Sequence, residues 1–179
     1  MMSNTLPTAS LSLDQLNRAG EDAFVALLDG IYEHSPWIAR RAFAVRPPGG
    51  FASLAALKHA MATVVREAAL DEQLGLIRAH PELAGKAAID GRLTEASAAE
   101  QASAGLDRMT RAEYDRFHAL NAAYSAKFGF PFIICVRLTD KAGILAAMER
   151  RLANDRDREI ATALDQIGEI VRLRLESMA

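Results

Sequence analysis

The sequence predicts an all-α protein, a single-domain bundle of about seven to nine helices, several of them short, with no significant sheet. Three observations lead there. Apolar residues recur at steps of three and four through most of the chain, the period of an amphipathic helix. Ser, Thr or Asp stands ahead of several of these runs, where a side-chain oxygen can cap a helix N-terminus. Only one stretch, Phe130 to Val136, reads locally as a strand, being rich in β-branched and aromatic residues. It has no second strand to pair with, and a lone strand cannot satisfy its backbone groups. It is therefore expected to be an extended entry into a buried helix.

The elements follow in order. Residues 1–11 read as a flexible tail, and 12–179 as the domain. Ser12 caps a short helix to Asn17, with Asp14 and Gln15 in its first turn. A second helix is expected from Glu21 to His34, because Phe24, Leu27, Leu28, Ile31 and Tyr32 share one face. Ser35-Pro36 interrupts it, and proline suits the first turn of the next helix, Trp37 to Phe43. Arg46-Pro47-Pro48-Gly49-Gly50 is a break. Ser53 then caps a helix carrying Leu54, Leu57, Ala60, Met61, Val64, Val65 and Ala68. Asp71 opens another that stops at His80, since a residue before proline is pushed out of the α region. Ala84 to Gly91 is expected to be irregular. Thr94 caps a helix to about Ala104. Thr110 caps a longer one to Phe128, which Gly129 ends as a C-cap glycine does. Thr139 or Asp140 caps a helix to Ala153, and Asn154 or Asp155 caps the last, from about Asp157 to the end.

Composition narrows the classes of function. The chain has 179 residues, half of them hydrophobic and a quarter charged, enough for one domain with a real core. A net charge of -2 gives no basic surplus for nucleic acid. The single Cys135 rules out an intramolecular disulfide framework and fits a reducing compartment. No apolar run approaches the roughly 20 residues of a membrane helix, and the N-terminus has no signal-peptide core. Ser177-Met178-Ala179 is not a peroxisomal Ser-Lys-Leu tripeptide. A cytoplasmic protein without nucleic-acid or membrane partners is expected. His34, His59, His80 and His118 are dispersed, so no metal site is expected. Phosphate-binding glycine loops and the Gly-x-Ser-x-Gly elbow are absent. What remains is cofactor-free acid–base chemistry on a small anionic molecule, or no chemistry.

Three places depart from a plain structural bundle. His80 sits at a helix boundary and is the side chain most easily tuned to exchange protons near neutral pH. A helix C-terminus favours its imidazolium form, by up to about 2 kcal/mol in good geometry. On a helix, Ser97, Glu100 and Gln101 share a face, pointing a hydroxyl, a carboxylate and an amide the same way. The alternative there is an ordinary solvated face. Arg174 occupies an apolar stripe formed by Ile160, Leu164, Ile167, Val171 and Met178. A buried arginine needs a partner, either a protein carboxylate or an anionic ligand. Otherwise its head snorkels past the helix end. Trp37 and Pro36 are expected to serve packing and helix entry. Cys135 is expected to be a small buried hydrophobe, and His34, His59 and His118 surface or interface residues. Glu149-Arg150-Arg151 and Asp155 to Glu159 look like solvated charge faces.

Taken together, these pieces resemble the 2-oxo-4-hydroxy-4-carboxy-5-ureidoimidazoline (OHCU) decarboxylases of urate degradation. The resemblance rests on Glu33-His34-Ser35-Pro36-Trp37, His80-Pro81-Glu82-Leu83-Ala84-Gly85, Ser97-Ala98-Ala99-Glu100-Gln101, Asn121-Ala122-Ala123-Tyr124, Lys127 to Val136, and Arg172-Leu173-Arg174-Leu175. These pieces span about residues 12 to 176 in the family's order. The resemblance implies an all-α fold, commonly a homodimer, no metal or organic cofactor, and conversion of OHCU to S-allantoin. It implies that His80 is catalytic together with Glu100, and that Pro81 lies beside the substrate. It further implies substrate-binding segments at Ser97, Ala98, Ala99, Glu100 and Gln101 and at Phe132, Ile133, Ile134, Cys135 and Val136, the latter largely through backbone. It also implies that Arg174 lines the site. The alternatives are a related lyase acting on another ureido or imidazoline acid, and an inactive helical binding or scaffold module of the same fold.

Overall fold

Nine α-helices and one 3₁₀ turn build the protein among the residues that the computed structural model describes, 11–84 and 92–178. They are α1 (Leu13–Arg18), α2 (Glu21–Leu27), α3 (Pro36–Ala44), α4 (Leu54–Glu67), α5 (Leu70–Ala79), α6 (Glu95–Ser103), α7 (Arg111–Phe128), α8 (Lys141–Arg151) and α9 (Arg156–Met178), with the 3₁₀ turn Val136–Leu138 before α8. No strand occurs among the described residues, and no helix there is long and apolar enough to cross a membrane. The expected irregular segment after Ala84 and the expected tail lie largely outside the described residues. Leu11 is buried, and its N–H donates to the Met178 carbonyl.

The caps fall where the sequence puts them. Ser12, Ser53, Thr94 and Thr110 each accept a hydrogen bond from the backbone N–H three residues on. Asp140 and Asp155 do the same for α8 and α9. Gly129 closes α7 at φ 78°, a left-handed conformation that only glycine adopts without strain. The last helix, 23 residues and about 35 Å long, is the spine. It packs on α4 and α5, while α3 bridges α2 to α4, and α7 lies against α8.

The second helix is shorter than its apolar spacing suggests. It ends at Leu27, and residues 28–35 form a loop with left-handed φ at Gly30 and His34. Leu28, Ile31 and Tyr32 are buried all the same. Their spacing reflects a shared core, and the loop reaches that core through isolated turns, such as the Ile31 N–H to Leu28 carbonyl bond at 3.1 Å, with no continuing helix. The freed carbonyls have another use, described below.

Phe130 to Val136 is the extended entry the sequence implies. It leaves Gly129 and runs into the 3₁₀ turn. Side chains take the place of a neighbouring strand. Arg151 Nη1 donates to the Ile133 carbonyl at 2.7 Å, and Gln166 Oε1 accepts from the Cys135 N–H at 2.9 Å. Tyr124 packs edge-on to Phe132 at 5.2 Å between ring centres. The expectation of solvated charge faces fails here for two residues. Arg151 is 5% exposed and Glu159 is fully buried. They pair at 2.8 Å, and Glu159 also accepts from the Tyr124 hydroxyl at 2.6 Å and from Asn154 at 2.9 Å. A charged residue next to a helix end need not face water when the facing helix offers its counter-charge.

Candidate active site

His80 is the C-cap of α5, with the extended backbone that the following proline imposes. Its ring is 7% exposed, and Nδ1 lies 2.9 Å from the Leu76 carbonyl. A carbonyl only accepts, so Nδ1 carries the proton of the neutral ring and Nε2 keeps its lone pair. Burial pulls the pKa of His80 down to about 4. The Leu76 carbonyl and the Glu33 charge pull it upward, while Arg174 and His34 push it lower. The helix-end preference for imidazolium is therefore overridden by loss of water, and His80 is neutral at pH 7.

The turn that follows is pinned from two helices. Gln101 Oε1 accepts from the Ala84 N–H at 3.0 Å, and Asn121 Nδ2 donates to the Leu83 carbonyl at 2.8 Å. Ser125 Oγ donates to the Glu82 carboxylate at 3.2 Å. Ala84 itself is held at φ 52°.

Arg174 is the hub of the site and does not snorkel out. It is 6% exposed. Nε and Nη2 donate to the two oxygens of Glu100 at 2.6 and 3.0 Å, a bidentate pair. Nη2 also reaches Glu33 Oε1 at 3.0 Å and Ser97 Oγ at 3.3 Å. Nη1 donates to the carbonyls of Gly30 and Ile31 at 3.0 and 3.4 Å. These are the carbonyls that the early end of α2 sets free. Burial disfavours the Arg174 charge, but Glu100 and Glu33 outweigh it and raise its pKa above the ordinary arginine value. Burial likewise pushes the Glu33 carboxyl upward. Hydrogen bonding from Ser97 and the Arg174 charge prevail, and its pKa is lowered.

One recess is lined by His80, Pro81, Ser97, Glu100, Gln101 and Arg174, with apolar walls from Leu83, Ile170, Phe132, Ile133, Ile134 and Val136. It is small, about 30 Å³. On the far side of the Glu100–Arg174 pair lies a cleft of about 730 Å³ between the 28–35 loop, the start of α6 and the end of α9. Glu100 and Arg174 line both spaces.

Most sequence-predicted site residues thus converge, but three do not line the recess. Ala98 and Ala99 turn to other faces of α6, Ala99 onto the cleft, as helical geometry demands of positions between 97 and 100. The Cys135 side chain is buried outside the recess, and burial raises its thiol pKa. No hydrogen bond joins His80 to Glu100 among the described residues; Glu100 is held by Arg174. Leu83, Ile170 and Glu33 were not anticipated as site residues. Ile170 stands one turn before Arg174 on the last helix, beside the stripe, and that helical spacing is a usable signal. Glu33 belongs to the Glu33-His34-Ser35-Pro36-Trp37 piece, in which no local pattern marks its carboxylate as buried. His34, His59 and His118 are exposed. Among the described residues, no group of three His, Cys, Asp or Glu side chains is arranged to hold a metal ion.

The OHCU decarboxylase family pattern matches residues 17–176, nearly the whole chain. This chain belongs to the OHCU decarboxylase family. It is 45% identical to the 2-oxo-4-hydroxy-4-carboxy-5-ureidoimidazoline decarboxylase of Haloferax volcanii, over 92% of this chain and 94% of that protein. It is 36% identical to the bovine (Bos taurus) protein of the same name, over 94% and 97% respectively. A crystal structure of (S)-allantoin synthase superimposes with a TM-score of 0.70 at 29% identity, covering 93% of this chain and 54% of that one.

Proposed function

We propose that this protein is a carboxy-lyase that converts OHCU to S-allantoin in urate degradation, using His80, Glu100 and Arg174 and no cofactor. The observation that carries this reading is the shared recess. A neutral imidazole with a free Nε2, a carboxylate and a guanidinium face one small space walled by apolar side chains. Family membership and relatives that carry the decarboxylase name support it.

The chemistry follows from the substrate's own name. Carbon 4 bears a hydroxyl and a carboxylate, and carbon 5 bears the ureido group and an imine bond. When CO₂ leaves, the electron pair of the broken bond forms a C4–C5 double bond, and the imine electrons move onto nitrogen. Allantoin then results when the hydroxyl loses its proton to become a carbonyl and C5 gains one. His80 Nε2 takes the hydroxyl proton. A ring whose pKa burial lowers to about 4 is then a strong acid and returns a proton readily to C5. Delivery from one side of a fixed ring gives a single enantiomer. Arg174 stabilises the negative charge that spreads into the ring during CO₂ loss. Pro81, Ser97, Gln101 and the Phe132 to Val136 segment enclose the substrate. Apolar walls favour release of a neutral gas from a charged group.

In this reading the protein is cytoplasmic, as its composition suggests, and works as a homodimer, as the family resemblance implies. The test generates OHCU in situ from urate with the two upstream enzymes and follows allantoin by circular dichroism. Wild-type protein is expected to give optically active allantoin. Substituting His80→Asn removes the acid–base group, and turnover is expected to fall by about 10²- to 10⁴-fold with the helical signal intact. Racemic allantoin at the uncatalysed rate from wild-type protein would overturn the assignment.

A further inference from the structure

We infer that Glu33 is a positioning residue for Arg174: a permanent counter-ion that holds the guanidinium in place while Glu100 yields its side of the fork to the substrate. This rests on the decarboxylase reading above and adds a residue to it.

Two carboxylates hold Arg174, and they are not equivalent. Glu100 lines both the recess and the cleft, so it forms part of the wall between them. Glu33 does not line the recess and is 2% exposed. A single Glu33 oxygen, Oε1, accepts from Arg174 Nη2 at 3.0 Å, from Thr94 Oγ1 at 3.1 Å, and from Ser97 Oγ. Three donors on one buried oxygen keep that carboxylate ionised and fixed. Its own loop is tied down as well, since Ser35 Oγ donates to the Glu33 carbonyl at 2.8 Å, and Pro36 starts α3 immediately after. The same loop presents the Gly30 and Ile31 carbonyls to Arg174 Nη1.

The guanidinium therefore has two edges with different fates. One edge is gripped by the 28–35 loop through two carbonyls and a buried carboxylate. The other, Nε with part of Nη2, is occupied by Glu100. All of its donor nitrogens are engaged, so Arg174 can bind an anionic substrate only if one partner withdraws. A recess of about 30 Å³ is also too small for an imidazoline ring carrying a carboxylate and a ureido arm. Room and binding capacity come from the same event, movement of Glu100 away from Arg174. Without Glu33, a guanidinium released by Glu100 would follow it or turn to the cleft, and Ser97 would lose its acceptor.

The test is a double-mutant cycle on kcat/KM for OHCU, with circular dichroism as the folding check. Misplacement of a catalytic group by about 1 Å costs on the order of 10²-fold. Glu33→Ala is expected to lose about that much. Glu33→Gln keeps an acceptor oxygen but not the charge, and is expected to lose about tenfold. In an Arg174→Ala background, assayed at higher enzyme concentration, neither substitution is expected to lower activity further. Wild-type kcat/KM in both Glu33 variants, or losses undiminished in the Arg174→Ala background, would overturn the inference. The Glu33→Gln arm carries the test should the alanine variant not fold. If wild-type protein does not turn over OHCU at all, the failure belongs to the functional reading; if it does and Glu33 is silent, only this inference falls.

Discussion

Two buried arginines, Arg151 and Arg174, make a useful contrast. Arg151 and Arg174 are almost equally buried, and each meets a buried carboxylate at hydrogen-bond distance. Arg151 with Glu159 forms a closed set with Tyr124 and Asn154, borders no recess described above, and donates to the Ile133 carbonyl. Its guanidinium lies 4.3 Å from the centre of the Phe132 ring, and its Nη2 has no hydrogen-bond partner among the described residues. Arg174 has a second carboxylate, Glu100, on the cavity side. Burial and pairing are common to both, so neither marks function. The surplus partner facing a cavity is what separates them.

The contrast can be broken most directly by removing each arginine. Arg174→Ala and Arg151→Ala each strand a buried carboxylate, and each is expected to cost about 3–5 kcal/mol of stability in urea titrations. Turnover per folded molecule separates them. Arg174→Ala is expected to lose about 10²- to 10³-fold in kcat, as removal of an oxyanion donor does, whereas Arg151→Ala is expected to stay within about tenfold. Equal losses would erase the distinction.

A subtler version replaces whole pairs. A buried ion pair exchanged for apolar residues of similar volume is often neutral, or stabilising by about 1–4 kcal/mol. Arg151→Met with Glu159→Leu is expected to keep the fold and measurable decarboxylation. Arg174→Met with Glu33→Leu and Glu100→Gln, which leaves no carboxylate stranded, is expected to keep the fold and lose decarboxylation. Thermal melts and the allantoin assay read both outcomes.

A further expected effect concerns pH, and it belongs to the Arg174 side alone. His80 takes a proton near pH 6.5 when unfolded and only near 4 when folded. Between those values the unfolded state binds more protons, so stability falls as pH falls from about 6.5 toward 4. The loss from this group is about 3 kcal/mol in all and complete once both states are protonated. In urea titrations across that window, His80→Asn is expected to flatten the pH dependence by that amount. An unchanged slope would mean that His80 is not held neutral by burial.

Local chemistry was legible in the chain. Helix starts at Ser12, Ser53, Thr94 and Thr110 need only a hydroxyl three residues from a free N–H, and Gly129 needs only the absence of a Cβ. His80 was located by Pro81 alone, and the α6 face by helical spacing. The 28–35 loop was not legible, because a buried loop and a buried helix can place apolar residues at the same intervals. Arg151 and Glu159 were not legible either. Their charges sit near helix ends, where water is the usual partner, and only the approach of α7 and the extended segment replaces it.

The sequence by itself determined the all-α architecture, where most of the helices lie, and the residue types available for acid–base chemistry, since each depends on neighbours within a few positions. Tertiary structure decided the ionisation and partnership of those residues. Glu33 and Arg174 meet across 141 positions of chain, and His80 is neutral because of what surrounds it. Desolvation and charge pairing depend on distance in space, which local pattern does not encode.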